Sequence, residues 1–459
     1  MTGFVAVILA AGEGKRMKSR HSKVVHKILG KALIEWVCDA AGNVGIDSYI
    51  MVVGHRAEEV KECMGDKVRY VAQEQQMGTG HAVMQAVPYL MDRKGHVIVM
   101  CGDMPLISSQ TIKNTIDKHV KEDNAVTIIT ADFEDPTGYG RIVKDPEGRV
   151  VKIVEHRDAT EDEKRIREIN SGLYCFELSL LIDALQRINN NNSQGEYYLT
   201  DTIEILIGQG KKVDTYKIEN NYEIMGINDR VQLSQAADIA KRNILKEHMQ
   251  AGVTIIDPES VYINPDVKIG MDTVIYPGTI IEGNSIIGED CILGPNTRLV
   301  NSKVEDRAEV QNSVVLDSTI GEGSHIGPFA YLRPGSSIGK KVKIGDFVEV
   351  KNSMIGDKSK VSHLSYIGDC DVGSNVNIGC GTVVVNYDGV KKHRTRIDDN
   401  VFVGCNTNLI SPVEVKKNAY IAAGSTITDD VPENALAIAR ERQVIKEDWV
   451  IRKGLKRSQ

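Results

Sequence analysis

A six-residue repeat of aliphatic side chains runs through the C-terminal half of the chain, and glycine often follows the aliphatic residue. A period of six fits neither an amphipathic helix nor a half-exposed strand. It is typical of a parallel β-helix, in which each short strand ends in a tight corner and the aliphatic side chains stack from coil to coil. The repeated positions are Ile269, Ile275, Ile281, Ile287, Leu293 and Leu299, then Ile320, Ile326, Leu332, Ile338, Ile344, Val350, Ile355, Val361, Ile367, Ile378 and Val384, and finally Ile397, Val403, Leu409, Val415, Ile421 and Ile427.

Two cations depart from this pattern. A small residue usually follows the inward aliphatic side chain, but Arg333 and Lys351 stand at this place. Their separation of 351 − 333 = 18 residues equals three hexapeptides, which predicts one corner of a three-sided coil, one coil apart. Two stacked cations favour an anionic ligand. The pattern is also broken at Glu282, Val300 and Lys416, so the pair alone does not decide for a binding site.

The repeat is interrupted between Val384 and Ile397 by a segment rich in Lys, His and Arg. Interruptions of a solenoid project as loops and often carry the binding function. A merely solvated charged loop is the alternative. His363 stands at a predicted coil corner, where a neutral imidazole could accept a proton from an amine, although an unpaired surface histidine is equally common.

The N-terminal half alternates short apolar runs with helical stretches, which predicts a largely parallel sheet with helices on both faces. Ligands of such sheets bind beyond the carboxyl ends of the strands. The predicted strands are Phe4–Ala10, Ser48–Gly54, His96–Met100, Ala125–Ala131 and Val213–Ile218, and the predicted helices are Leu33–Ala41, Gly80–Tyr89, Ser109–Lys121, one long spacer helix within 229–252 and a short capping helix at Gln443–Arg452; the basic tail Lys453–Gln459 is expected to be mobile.

A glycine-rich turn follows the first predicted strand. Such turns expose backbone N–H groups to anions, and Lys15 and Arg16 add positive charge for a phosphate. A tight β–α turn without a ligand is the alternative, and the Walker A and Rossmann glycine patterns are not matched. Asp103 follows the strand at Val97, where an aspartate is either a magnesium ligand or a helix cap.

The length and composition of the chain limit the number of domains and the classes of protein to which it can belong. A chain of 459 residues is expected to form two or three domains. The net charge of −7 predicts no general attraction to nucleic acid or anionic membranes. No apolar run approaches the ~20 residues of a membrane span, and no signal peptide is indicated. Eight cysteines without a CxxC pair exclude zinc spacing and favour reduced thiols in the cytoplasm.

Four motifs occur in a characteristic order: Leu-Ala-Ala-Gly-x-Gly-x-Arg-Met from Leu9, the nearby Lys23, Gln-x-x-x-Met-Gly-Thr-x-His-Ala at 73–82, and Gly-Asp-x-Pro-Leu from Gly102. They resemble the sugar-1-phosphate nucleotidyltransferases. With the hexapeptide repeat, the whole chain resembles the bifunctional N-acetylglucosamine-1-phosphate uridyltransferase/glucosamine-1-phosphate acetyltransferase family of bacterial cell-wall precursor synthesis. This resemblance implies an α/β Rossmann-like nucleotidyltransferase domain at 1–229, a helical linker at 230–250 and a left-handed parallel β-helix acetyltransferase domain at 251–459.

The resemblance also implies the roles of N-terminal residues. UTP or UDP-N-acetylglucosamine is expected to contact Leu9, Ala10, Ala11, Gly12, Arg16, Lys23, Gln73, Gly78 and Thr79; the amino sugar is expected near Gly140, Glu155 and Asn170; and Mg²⁺ is expected on Asp103 and Asn228. Uridylyl transfer needs no protein nucleophile, because positioning and charge neutralisation dominate catalysis. Two residues depart from the family pattern: Lys15 stands where Thr is usual, and Ser22 stands where Pro or an aromatic residue is common.

For the C-terminal half, the resemblance implies acetyl transfer from acetyl-CoA to glucosamine 1-phosphate within a homotrimer. His363 is the expected general base and Glu349 the residue that orients it; the phosphate ligands are Arg333, Lys351 and Lys392; Tyr366, Asn377 and Asn386 line the sugar site; and Asn386 also joins Cys380, Tyr387, Cys405, Ala423 and Arg440 as acetyl-CoA contacts. Cys380 and Cys405 stand where Ala and Ser are more usual.

Three functions are therefore compared. The first is a two-site enzyme that makes N-acetylglucosamine 1-phosphate and then UDP-N-acetylglucosamine. The second is a single-activity nucleotidyltransferase whose β-helix is structural or regulatory, which the His363 and cation set opposes. The third is a non-catalytic scaffold, which Asp103, Asn228 and Lys23 oppose.

Overall fold

The computed structural model describes residues 3–455. The chain forms two compact units, Met1–Lys241 and Arg242–Gln459. The last four residues of the predicted mobile tail lie outside the described residues.

Unit 1 is built on a nine-stranded sheet with helices on both of its faces. Its strands are β1 Phe4–Ala10, β4 Tyr49–Val53, β5 Arg69–Ala72, β6 His96–Cys101, β7 Val126–Asp132, β8 Arg141–Lys144, β9 Val150–Val154, β10 Glu168–Glu177 and β11 Val213–Lys217, and a small separate hairpin contains β2 Lys27–Ile28 and β3 Lys31–Ala32. Its helices are α1 Leu33–Gly42, α2 Ala57–Met64, α3 Thr79–Ala86, α4 Ser109–Lys121, α5 Glu161–Lys164, α6 Leu178–Leu185 and α7 Asp201–Gly208, followed by α8 Arg230–Gln250.

The strand order is β11-β7-β10-β6-β1-β4-β5. Strands β6, β1, β4 and β5 are parallel, as the alternating pattern predicts. Strand β10 runs antiparallel to both β6 and β7, and β8 and β9 form an antiparallel extension on it. The sheet is thus mixed rather than uniformly parallel, and strands β8 to β10 were not predicted.

The alternation of side chains in β1 explains the two layers of helices. Ala6 and Ile8 face a core shared with α1, α2 and α4, whereas Val5 and Val7 face a core shared with α3, α6 and α7. All four side chains are at most 2% exposed. Because the central strand is buried on both faces, its sequence is a continuous apolar run.

Unit 2 contains a left-handed parallel β-helix of three sheets with eleven, ten and nine strands. The first sheet contains Thr254–Ile255, Val274–Ile275, Ile292–Leu293, Glu309–Val310, His325–Ile326, Lys343–Asp346, Lys360–His363, Asn377–Ile378, Phe402–Val403, Tyr420–Ile421 and Leu436–Ala437. The second contains Tyr262–Ile263, Ile280–Glu282, Arg298–Val300, Val314–Leu316, Tyr331–Leu332, Glu349–Lys351, Tyr366–Gly368, Val383–Val385, Asn408–Ile410 and Thr426–Ile427. The third contains Lys268–Ile269, Ile286–Ile287, Lys303–Val304, Thr319–Ile320, Ser337–Ile338, Met354–Ile355, Cys370–Val372, Thr395–Ile397 and Glu414–Val415.

The aliphatic repeat forms the core of this β-helix. Every predicted inward position is buried except Ile269, which is partly buried in the first coil. The close approach of successive coils explains the glycines: a Cβ on Gly270 would lie 2.6 Å from the carbonyl carbon of Gly288. The gaps in the predicted repeat are also filled by inward side chains, at Val304, Val310, Val315 and Val372.

The C-terminal end of the chain differs from the sequence prediction. The predicted helix at Gln443–Arg452 is wrong over most of its length, since α9 contains only Trp449–Arg452 and its residues are exposed.

None of the helices between residues 3 and 455 combines the length and the apolar character that crossing a bilayer requires.

Candidate active sites

The nucleotide motifs of unit 1 meet at the carboxyl ends of its parallel strands. Leu9, the penultimate residue of β1, lies beside Cys101 of β6, and its carbonyl accepts a hydrogen bond from Gly102 N–H at 2.9 Å. Ala10 is buried at the last position of β1, Ala11 is buried after it, and Gly12 is exposed. The glycine-rich turn therefore opens toward solvent where the topology predicts a ligand.

The second loop packs against the first. Gln76 Nε2 donates to the Ala11 carbonyl at 2.5 Å, and buried Gln73 donates from Nε2 to the Gly78 carbonyl at 3.1 Å. Gly78 has a φ of 105°, and a Cβ there would lie 2.6 Å from the Tyr197 carbonyl oxygen. Thr79 then begins α3, so the predicted uridine positions surround the start of a helix.

Lys23 lies between the two predicted magnesium ligands. Its ammonium contacts Asp103 Oδ2 and lies 3.2 Å from Asn228 Oδ1. The backbone brings these residues together, because Ile227 N–H donates to the Asp103 carbonyl at 2.9 Å. Ser108, and not Asp103, caps α4 by accepting from Thr111 N–H, which leaves the Asp103 carboxylate free of a capping role. Two oxygen atoms that converge on one ammonium group form a donor set that also suits Mg²⁺.

The two departures near this loop each have a local partner. Lys15 pairs with Glu13 at 2.5 Å, and both side chains lie at the surface. Arg16 is exposed as well. The Ser22 N–H donates to Glu59 Oε2 at 2.6 Å, a hydrogen bond that proline at this position would not make. Ser22 thus ties the loop before Lys23 to α2.

The predicted amino-sugar residues form one group: Gly140 directly precedes β8, Glu155 directly follows β9, and Asn170 lies on β10. Asn170 N–H donates to the Gly140 carbonyl at 2.9 Å. A Cβ on Gly140 would lie 3.5 Å from Asn170 Cβ and 3.5 Å from Glu155 Oε2. Burial raises the pKa of Glu155, which accepts from Thr200 Oγ1 at 3.2 Å. Three strands that the sequence prediction missed therefore bring these three residues together.

In unit 2, the predicted phosphate ligands lie together at one corner. Arg333 follows the strand Tyr331–Leu332, and Lys351 ends the neighbouring strand Glu349–Lys351 of the same sheet. Arg333 N–H donates to the Val350 carbonyl, so the two residues are one coil apart. A hydrogen bond to Lys351 and repulsion between the two ammonium groups lower the pKa of Lys392. Three cations held this close favour binding of a multiply charged anion.

Asp369, which the sequence analysis missed, organises this corner. It is buried, and its carboxylate accepts from Lys351 Nζ at 3.0 Å, Asn352 Nδ2 at 2.6 Å and Asn386 Nδ2 at 2.5 Å. Although burial acts to raise it, these hydrogen bonds hold the pKa of Asp369 below its usual value. Asn386 also lies 3.4 Å from the Tyr366 hydroxyl, which connects the corner to the predicted sugar site.

His363 ends a strand of the first sheet, at a different corner from Arg333 and Lys351. Its carboxylate partner is Asp346, one coil away, whereas the predicted partner Glu349 accepts from Arg333 Nη1 at 2.8 Å. Asp346 is a second residue that the sequence analysis missed. Asn377 begins a strand of the first sheet, and the structure does not place it at the corner with the cations.

The predicted acetyl-CoA residues continue the column that contains His363. Gly381 N–H donates to the His363 carbonyl, Asn406 N–H to the Cys380 carbonyl and Gly424 N–H to the Cys405 carbonyl. His363, Cys380, Cys405 and Ala423 therefore occupy equivalent places in four successive coils. The Arg440 side chain approaches the end of this column, with its Cδ 3.8 Å from a Cβ placed on Gly424.

The interrupting segment forms an exposed loop closed by a bridge between Tyr387 and Lys392. Asp388 fixes its interior by accepting from the Val390 and Lys391 N–H groups and from His393. These bonds, led by that from Lys391, lower the pKa of Asp388 to about 2. The loop is therefore ordered by its own contacts, and it presents Lys392 to the cation cluster.

Comparisons with known proteins agree with both halves of this description. A nucleotidyl transferase family model matches residues 5–223, a model for six repeats of the bacterial transferase hexapeptide matches 266–301, and a model named GMPPB C-terminal domain matches 317–422. Among its relatives are proteins named Bifunctional protein GlmU from Acetivibrio thermocellus (64% identical over 459 residues, 100% of each chain), Thermoanaerobacter pseudethanolicus (55% over 457 residues, 99% of this chain and 100% of the relative) and Clostridium kluyveri (54% over 453 residues, 98% of this chain and 99% of the relative). Identity at this level over the full length shows that the chain belongs to the family of bifunctional GlmU proteins.

Proposed function

We propose that the chain makes UDP-N-acetylglucosamine in two steps at two sites. Unit 2 transfers acetyl from acetyl-CoA to glucosamine 1-phosphate, and unit 1 transfers uridylyl from UTP to the product, with release of pyrophosphate. We assign the two activities to residues 251–459 and 1–229, with 230–250 as the linker. The observation that carries the proposal is the second site: a β-helix with only a structural role needs neither three crowded cations nor a histidine paired with a carboxylate.

In the acetyl-transfer step, glucosamine 1-phosphate binds through its phosphate to Arg333, Lys351 and Lys392. The Nδ1 atom of His363 is engaged by Asp346, which leaves Nε2 to take the proton from the attacking amine. The new C–N bond forms as the thioester C–S bond breaks, and the CoA thiolate leaves. No acyl-enzyme is required, so Cys380 and Cys405 are contacts rather than nucleophiles.

In the uridylyl step, the sugar phosphate attacks the α-phosphate of UTP in line. Leu9 to Gly12 and the loop around Gln73 to Thr79 hold the nucleotide, while Lys23 and Arg16 neutralise its phosphates. Asp103 and Asn228 fit a magnesium ion, because their side-chain oxygen atoms converge on one cationic group. When bound there, the metal supplies charge neutralisation for the triphosphate.

We further propose that the chain works as a homotrimer in the cytoplasm, where UTP and acetyl-CoA are available. Self-association is supported by an exposed apolar ridge on one corner of the β-helix, formed by Phe329, Phe347 and Leu364, which are 57%, 59% and 57% exposed. Exposed apolar groups of this kind mark interaction surfaces. Light scattering is expected to give three times the mass of one chain, and a monomeric mass would contradict this proposal.

The decisive experiment incubates the pure protein with glucosamine 1-phosphate, acetyl-CoA, UTP and magnesium, and then omits each in turn. UDP-N-acetylglucosamine is expected only when all four are present. With N-acetylglucosamine 1-phosphate supplied instead, acetyl-CoA becomes dispensable. If the protein made the nucleotide sugar only from N-acetylglucosamine 1-phosphate, the single-activity alternative would be correct.

A further inference from the structure

One fully buried cation in unit 1 has no role in the proposed chemistry. Arg141 begins β8, its residue is 1% exposed, and it forms none of the ion pairs found among residues 3–455. Its Nη1 donates to the Tyr139 carbonyl, its Nη2 lies 3.3 Å from His156 Nδ1, and its Nε has no hydrogen-bond partner within the described part of the chain. Asp135 attracts the guanidinium through its charge but forms none of these ion pairs with it. Burial of the guanidinium therefore destabilises the fold, so a compensating role is expected.

The strand register places Arg141 directly behind the predicted amino-sugar group. Arg141 pairs with Ile169 of β10 and Val154 of β9. Because all of these pairs are antiparallel, the preceding residue Gly140 lies opposite the residues that follow those two partners, Asn170 and Glu155. Side chains alternate along a strand, so Arg141 extends from the face opposite to the one that carries Gly140.

The two groups that Arg141 contacts are next in the chain to two residues of the predicted amino-sugar group, Gly140 and Glu155. Tyr139, whose carbonyl accepts from the guanidinium, precedes Gly140 in the chain. His156 follows Glu155. The planar guanidinium presents several donors in a rigid fork, and therefore fixes two separate groups at once, which an apolar side chain of similar volume does not do.

We propose that Arg141 is a positioning residue for the amino-sugar half of the uridylyl site: it fixes the Tyr139 carbonyl and the His156 ring, and thereby sets the places of Gly140 and Glu155 against Asn170. This inference rests on the proposed function of unit 1. The nucleotide loops follow β1 and β5, and the hydrogen bonds of the guanidinium in the described part of the chain go to Tyr139 and His156 instead. Arg141 therefore acts on recognition of N-acetylglucosamine 1-phosphate and not on recognition of UTP.

The test measures uridylyl transfer by the full-length protein while each substrate is varied separately. Arg141→Met removes the fork but retains most of the volume. It is expected to raise the KM for N-acetylglucosamine 1-phosphate about tenfold, which corresponds to about 1.4 kcal/mol. The KM for UTP is expected to stay within about twofold, because no nucleotide contact changes. Arg141→Lys keeps the charge and a single donor nitrogen in place of the fork, and should recover part of the loss.

His156→Phe provides a second, independent variant that leaves the guanidinium in place. It should raise the same KM by less, because it breaks only one of the two contacts that Arg141→Met breaks. The double variant should be little worse than Arg141→Met, because the contact between Arg141 and His156 is already lost there. Acetyl transfer by the same preparations serves as the internal control and should be unchanged.

Two results would overturn the inference: an unchanged sugar-phosphate KM in folded variants, or equal increases for both substrates, which indicate general loosening. Should Arg141→Met fail to fold, Arg141→Lys and His156→Phe decide the matter by the same criterion. Failure of the proposed function itself is distinguishable, since the unaltered protein would then make no UDP-N-acetylglucosamine.

Discussion

Nδ1 of His363 lies 2.5 Å from Oδ1 of Asp346, the equivalent corner position one coil away in the β-helix. This hydrogen bond fixes the imidazole ring and directs its other nitrogen to solvent, because one ring nitrogen is already engaged. The same bond holds the pKa of Asp346 below its usual value. The Asp346 carboxylate is therefore ionised at neutral pH, as required of a group that orients a base.

Asp346→Asn is expected to lower kcat for acetyl transfer by about tenfold, since it weakens a charge-assisted hydrogen bond that holds the imidazole ring. The KM for glucosamine 1-phosphate should change little. His363→Ala should cost about 10²–10⁴-fold, the usual range for loss of a general base. Steady-state assays of thiol release measure both effects.

Glu349→Gln is the matched control for Asp346→Asn, because the family resemblance assigns the orienting role to Glu349. Glu349 accepts from Arg333 at 2.8 Å, so its loss should disturb phosphate binding and act mainly on the KM for glucosamine 1-phosphate. The opposite pattern, in which Glu349→Gln lowers kcat and Asp346→Asn has no effect, would restore the original assignment. Uridylyl transfer should be unaffected in all three variants.

As the pH is raised, phosphate binding at the cation corner should weaken at a lower pH than it would if Lys392 had the usual pKa of a lysine. The hydrogen bond and charge of Lys351 lower the pKa of Lys392, so the Lys392 ammonium loses its proton as the pH rises through this lowered pKa. The KM for glucosamine 1-phosphate is therefore expected to rise with increasing pH above neutrality. Lys392→Met should raise this KM and flatten its alkaline dependence.

Lys351→Met tests the cause of that pH dependence. It removes a phosphate contact and raises the KM throughout, but it also removes the neighbouring charge, so the alkaline rise should move to higher pH. Lys391→Met, at an exposed lysine of the same loop, is the control and should leave the profile unchanged. A profile that is identical in the Lys392→Met variant and the unaltered protein would contradict the interpretation.

Asp103→Ala is expected to abolish uridylyl transfer while acetyl transfer remains nearly intact, because the carboxylate that contacts Lys23 is lost only from unit 1. Chelation of divalent metal should have the same selective effect. Separate assays of the two half-reactions measure it. Asp162→Ala, at a carboxylate whose side chain is 91% exposed, is the control and should retain both activities. Equal loss of both activities in Asp103→Ala would argue against two independent sites.

The aliphatic repeat predicted the β-helix because its spacing is a direct consequence of the coil. The repeat missed Val304, Val310, Val315 and Val372. Some sides of the coils near these residues are one residue shorter, which changes the spacing of inward side chains from six to five residues. A fixed period detects only sides of equal length. Pairing between coils tolerates such changes, because each inward side chain still meets its counterpart.

The candidate sites could be predicted only where residue type was unusual for its place. Arg333 and Lys351 interrupt a pattern of small residues, and they do lie one coil apart. Asp346 and Asp369 were missed because aspartates are ordinary residues at solenoid corners; Asp369 has a φ of 49°, a conformation that Asp and Asn adopt readily. Their roles arise from contacts with distant residues, which local sequence does not record.

The antiparallel strand β10 was missed for a similar reason. Its direction is set by pairing with β6 and β7, which lie far from it in sequence. The roles of Gly140, Glu155 and Asn170 are expectations from the resemblance, and nothing in the local pattern predicted that three strands would bring them within contact distance.

Unit 1 is expected to lose stability in acid because of one buried histidine. His119 is fully buried, its Nε2 lies 3.1 Å from His96 Nδ1, and its Nδ1 lies 3.1 Å from Thr127 Oγ1. Burial, with repulsion from His96 as a second cause, lowers the pKa of His119 to about 4. In the unfolded chain a histidine titrates near ~6.5, so the unfolded chain binds the extra proton between these two values.

The contribution of neutral His119 to the free energy of unfolding is therefore complete above pH ~6.5, and it is lost as the pH is lowered toward 4, by roughly 3 kcal/mol in total. His119→Gln, which cannot titrate, should flatten this dependence even if it lowers stability at pH 7. Urea unfolding followed by Trp36 fluorescence in a Trp449→Phe background measures it, since the chain has only these two tryptophans. His55→Gln, at an exposed histidine, is the control. Equal acid sensitivity of His119→Gln and the unaltered protein would show that other groups cause the loss.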